Sequence, residues 1–82
     1  MSTFPVKVEP LAISVSFPDG ASLLVKLADG REISVPVVWF PRLAAASAEQ
    51  RADYSLIGGG IGIHWPDIDE DLSVAGLLRG DR

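Results

Sequence analysis

Apolar and polar residues alternate through the first third of the chain with the two-residue period of a half-buried strand. Leu11, Ile13, Val15 and Phe17 fall on one face, and Ala12, Ser14 and Ser16 on the other. Pro18-Asp19-Gly20 ends this run, because proline presets φ and glycine accepts a left-handed conformation. A second strand follows over Ser22 to Leu27, with Leu23, Val25 and Leu27 inward and Lys26 outward. Asp29-Gly30, among the strongest short hairpin signals, turns the chain into a third strand over Arg31 to Val35, with Ile33 and Val35 inward. Ahead of these strands Met1 to Pro10 alternates weakly through Val6 and Val8, which fits an edge strand or a loose arm.

Three antiparallel strands with one apolar face need a cover. Pro41 suits a first helical turn and Leu43-Ala44-Ala45-Ala46 has high helix propensity, which predicts a short helix over residues 39 to 46. Ser47 with Gln50 forms a capping-box pattern ahead of a second helix over residues 48 to 53. Tyr54 to Ile57 and Ile61 to Trp65 then read as a second hairpin joined through Gly58, Gly59 and Gly60. Ile61, Ile63 and Trp65 share its inward face, and His64 points away from the core. Pro66 stops that strand, a loop carries Asp67, Asp69, Glu70 and Asp71, and Ser73 caps a last helix over Val74 to Leu78 that ends by Gly80. The expected architecture is an α+β domain over residues 1–82. It has a small, mainly antiparallel sheet of two hairpins, covered by two or three short helices.

Size limits function. A chain of 82 residues buries about 60 to 65% of its unfolded surface, which leaves little material for a deep cleft. A hydrophobic fraction of 48% is enough for one core, and there is no cysteine for a disulfide, a usage that fits the cytoplasm. The longest apolar run, Val35 to Phe40, is short and broken by Pro36, so neither a membrane span nor a signal peptide is expected. Seven basic against eleven acidic residues give a net charge of −4, the wrong sign for a domain that neutralises phosphates, and direct nucleic-acid binding is not expected.

Several motifs come close to known chemistry and stop short. The glycines at 58, 59, 60 and 62 are not followed by Gly-Lys-Ser or Gly-Lys-Thr, and a strand rather than a helix comes next, so this is a hairpin turn and not a phosphate loop. The dinucleotide fingerprint fails at Ile63, where a glycine is required. Asp67, Asp69 and Asp71 alternate like the first ligands of a calcium loop, but Leu72 and Leu78 occupy the positions of its glycine and its glutamate. His64 has no second histidine and no cysteine to complete a metal site, and no serine sits in a nucleophile-elbow pattern. No cofactor or metal is expected. Trp39 and Phe40 are adjacent and cannot both point inward; one plugs the core, and the other, with Arg42, has the residue type that anchors interfaces.

The segment Ile63-His64-Trp65-Pro66-Asp67-Ile68-Asp69-Glu70-Asp71-Leu72-Ser73-Val74, followed by Gly76-Leu77-Leu78, resembles the closing signature of domain-of-unknown-function family 2442, a group of small bacterial proteins. Asp29-Gly30-Arg31, Val35-Pro36, Trp39-Phe40-Pro41-Arg42-Leu43 and Arg51 extend the resemblance to roughly residues 12 to 80. Some members of that family are suspected antitoxins encoded beside a small partner, and others carry a helix-turn-helix that this chain lacks. The leading expectation is therefore a non-catalytic protein-binding module, antitoxin-like by resemblance. Its contact residues would be Trp39, Phe40, Arg42, His64, Asp67 and Asp69, meeting a small basic protein, with a homo-oligomer also open. Two alternatives stand beside it: a small enzyme using His64 with Asp67 or Asp69, and a regulatory sensor domain paired with a separate DNA-binding chain.

Overall fold

The computed structural model describes residues 10–80; the segment from Met1, expected to be an edge strand or arm, lies outside the described residues up to position 9. The chain forms two three-stranded antiparallel sheets in sequence order, with short helices between and after them. The first sheet is β1 (Ala12–Ser16), β2 (Ser22–Leu27) and β3 (Glu32–Pro36). The second is β4 (Ser55–Ile57), β5 (Gly62–Trp65) and β6 (Glu70–Ser73). Helices α1 (Pro41–Ala44) and α2 (Ala48–Ala52) link the sheets, and α3 (Val74–Arg79) closes the domain. The α+β class holds, but the expected single sheet is two, and β6 occupies what reads in the sequence as an acidic loop.

Local chemistry explains most of the boundaries. The Ser47 hydroxyl accepts from the Gln50 N–H and the Gln50 side chain accepts from the Ser47 N–H, a complete capping box that starts α2. Pro41 occupies the first turn of α1, although the expected helix over 39 to 46 is split: a 3-10 turn at Val37–Trp39 precedes a single turn of α-helix. Ser73 accepts from the Gly76 N–H, and Gly80 closes α3 at φ 81°. At the turn after β2, the Asp29 carboxylate accepts from both the backbone and the guanidinium of Arg31.

Leu23, Val25, Leu27, Ile33 and Val35 face the core as the alternation requires. The alternation fails in β1. A bulge between Ala12 and Ser14 brings Ala12 and Val15 inward and turns Ile13 out to 59% exposure, whereas the simple period placed Ile13 inside and Ala12 outside. Ile61, expected inward with Ile63 and Trp65, is exposed, because β5 begins one residue later and Ile61 belongs to the turn.

The two sheets are joined at β1. The Ala12 N–H donates to the Gly60 carbonyl at 2.8 Å, and the Val15 N–H donates to the Tyr54 hydroxyl at 3.1 Å. Trp65, fully buried, lies between the sheets, 6.4 Å from the ring centroids of both Phe17 and Tyr54, and its indole N–H donates to the Arg51 carbonyl. The Arg51 guanidinium in turn donates to the carbonyls of Leu43, Ala44 and Gly20 and stacks 5.0 Å over Phe17. One arginine thus satisfies the carbonyl end of α1 and ties it to the β1–β2 turn.

Candidate functional site

The conspicuous surface lies along β6. Leu72 pairs with Ile63 and packs on the core, which fixes the register that sets Asp71 across from His64 and Glu70 across from Trp65. Asp71 and His64 therefore share the outer face of the second sheet, and the His64 Nδ1 meets the Asp71 carboxylate. The histidine does point away from the core, as its strand position requires. Its carboxylate partner is Asp71, however, and not Asp67 or Asp69, because the strand places Asp71 opposite the ring while the other two lie before it in the turn.

That turn is a 3-10 segment, Pro66–Ile68, followed by Asp69 in the left-handed region at φ 52°. Asp67 and Asp69 are exposed. The backbone carbonyl of Asp69 accepts from the Arg42 guanidinium at 2.5 Å, so Arg42 ties α1 to the strained corner before β6. Arg42, whose residue type suits an interface anchor, thus has an intramolecular duty as well. Phe40 is the residue that plugs the core, while Trp39 is half-buried against it. Between these segments and β6 runs an open groove of about 370 Å³, lined by Trp39, Phe40 and Pro41 on one side, Glu70 to Ser73 on another, and Gly76 and Leu77 of α3.

The residues expected to act together thus separate into neighbours. Trp39 and Phe40 belong to the groove, His64 meets its rim through Asp71, Arg42 braces the corner, and Asp67 and Asp69 flank it. That Glu70, Asp71 and Leu72 form a strand is hidden in the sequence, because carboxylates are poor strand formers and conceal the alternation around Leu72. The glycine run is the hairpin turn expected, and within it Gly60 is buried against the backbone of β1. The register further aligns Ser55, His64 and Asp71 across three strands on one face, yet no hydrogen bond joins Ser55 to the imidazole. Among the described residues no three His, Cys, Asp or Glu side chains come together in a metal-binding arrangement, and no helix is long and apolar enough to cross a membrane.

These features define a small α+β domain of two three-stranded meanders braced by an arginine, with an acidic strand along an open groove. The chain belongs to the family described as a protein of unknown function (DUF2442), which matches residues 12–82. Two solved structures are similar to it. A crystal structure of a protein of unknown function from Rhodospirillum rubrum ATCC 11170 has 32% identity and a TM-score of 0.77, covering 90% of this chain and 90% of that one. A solution NMR structure of an uncharacterised protein from Chromobacterium violaceum has 26% identity and a TM-score of 0.74, covering 88% of this chain and 67% of that one. No curated protein matches the chain.

Proposed function

We propose that this domain is a non-catalytic protein-binding module whose partner is a small basic protein, in the antitoxin-like manner suspected for some members of its family. The observation that supports this reading is the groove along β6, where the half-buried Trp39 and the exposed Pro41 offer apolar contact and Glu70 and Asp71 place negative charge on the rim. Asp67 and Asp69 extend the acidic stretch just before it, and a chain without cysteine suits the cytoplasm as the place of encounter. The groove is open rather than enclosed, a shape for a protein segment more than for a small substrate.

Affinity capture with the full chain, followed by mass spectrometry and binding kinetics on the partner found, tests the reading. A basic partner is expected, and the double variant Asp67→Asn, Asp69→Asn should slow its association at low salt while the melting temperature stays unchanged. Failure to capture a partner, or association that ignores both charge and salt, would sink the proposal.

One specific observation favours a second reading, in which the domain is a small hydrolase using His64. Asp71 holds Nδ1 of the ring, and Ser55 stands in register on the same face. Labelling of Ser55 by a fluorophosphonate, abolished by His64→Ala, would support that reading; an unlabelled chain would dismiss it.

A further inference from the structure

The described residues leave four strand edges, and three of them are defended. On β1 the outward N–H groups of Ala12 and Val15 are taken by Gly60 and Tyr54, and a bulge distorts the strand. On β3 the bonds of Leu27 to Arg31 and of Val37 to Ala21 fix the alternation, so that Glu32, Ser34 and Pro36 face outward; one is charged and one has no N–H. On β6 the Val74 N–H bonds the Ile61 carbonyl at 3.0 Å, which makes Ile63 and Leu72 a bonded pair and leaves the charged Asp71 and the helix-capping Ser73 outward.

The fourth edge, β4, has none of these devices. The same alternation directs Gly62 and His64 of β5 toward Ile57 and Ser55, so Leu56 turns its N–H and C=O away from the sheet. All three β4 residues are exposed, Leu56 at 36% and Ile57 at 43%, and Ile61 beside them stands at 44%. From Tyr54 to Ile63 there is no charged residue and no proline in a chain with 22% charged residues. Short as it is, an apolar strand edge without charge, proline or bulge is open to pairing.

We propose that β4 pairs with β4 of a second copy of this chain, antiparallel about a two-fold axis through Leu56, making one six-stranded sheet across the dimer. Charge decides the occupant. Each copy carries a net charge of −4, so like copies repel over most of their surface, and meeting at β6 would set Glu70 and Asp71 against their own equivalents. The β4 edge is neutral and therefore compatible with itself. An outward residue on a two-fold axis is also self-complementary, because the Leu56 N–H of each copy reaches the Leu56 C=O of the other, and Ser55 of one copy faces Ile57 of the other. This interface is separate from the β6 groove and leaves it open.

Sedimentation equilibrium of the full chain, from micromolar to several hundred micromolar protein, tests the assignment. A dimer is expected. Ile57→Lys, which places two like charges diagonally across the axis, should weaken it by about tenfold or more, with a circular dichroism spectrum like the parent's. Leu56→Pro removes an N–H that bonds none of the described residues of its own subunit and should weaken the dimer too. Ile13→Lys adds the same charge at an even more exposed isoleucine off this edge and should leave the dimer intact. A chain that stays monomeric throughout the range, a dimer indifferent to both edge variants, or one broken only by Ile13→Lys would overturn the proposal.

Discussion

Gly60→Ala is the substitution that most directly interrogates how the two sheets are held. A Cβ at this position would lie 2.4 Å from the Ala12 carbonyl oxygen and 2.9 Å from its nitrogen, and the residue sits at φ +118°. Both obstacles are backbone, and the nitrogen belongs to the group that donates to the Gly60 carbonyl, so relief of the clash breaks that bond. Three costs combine: about 1–3 kcal/mol for holding an alanine in a glycine-only region, about 1–3 kcal/mol for moving packed backbone, and about 1 kcal/mol for the bond. The sum of about 3–7 kcal/mol compares with a total stability of about 4–12 kcal/mol for a domain of this size. Between about a quarter and all of the folding free energy is at stake. Gly59→Ala is the control, since φ there is +74° but nothing lies within 4 Å of its Cβ; it should cost only about 1–2 kcal/mol. Urea unfolding followed through the buried Trp65 gives both values from the midpoints and slopes. Equal losses at the two glycines, or a Gly60→Ala loss within 1 kcal/mol of the parent, would refute the close approach to β1.

Three further outcomes follow from the packing. Arg51→Ala removes three carbonyl contacts and the stacking on Phe17, for about 2–3 kcal/mol, and should lower the melting temperature by more than about 8 °C in a calorimetric scan. The β1 bulge makes Ile13→Thr close to neutral and Ala12→Leu destabilising by about 1–3 kcal/mol, and a chemical denaturation series showing the reverse order would restore the simple alternation. Backbone hydrogen bonds hold the carboxyls of Asp19 (from Ala21 and Ser22) and Asp29 (from Arg31) below their ordinary value of 3.8. A folded-state value below the unfolded one gives stability that is whole above pH 3.8 and is lost as pH falls through the folded value. Acid titration of the fold should therefore be shallower in Asp29→Asn than in the parent, and parallel curves would count against the turn geometry.

The parts of the fold that sequence revealed were those where one local rule operates alone. Ser47 with Gln50, Asp29-Gly30, and the inward set Leu23, Val25 and Leu27 each rest on a single turn or a single period, and each stands in the structure as read. What escaped was decided at a distance. The β1 bulge exists because Ala12 must reach Gly60, 48 positions later, and no periodicity in β1 alone reports that partner. Strand β6 was hidden because its carboxylates look like a solvated loop until Leu72 is seen packing beside Ile63. The candidate site followed the same division. The outward direction of His64 was readable from its strand, whereas its pairing with Asp71 needed the register of a strand that the pattern did not reveal.

Because Ala12 and Val15 turn their N–H groups away from β2 and onto the second sheet, these two amides count the separation of the halves rather than the fraying of either one. The hydrogen bonds inside each meander can reopen one strand at a time, but Ala12 and Val15 become exposed together only when Gly60 and Tyr54 withdraw. In hydrogen exchange they should therefore share a single opening free energy and respond alike to denaturant, although one bonds a backbone carbonyl and the other a phenolic hydroxyl. Two residues in a short edge strand thus act as a built-in clock for the opening of the whole domain.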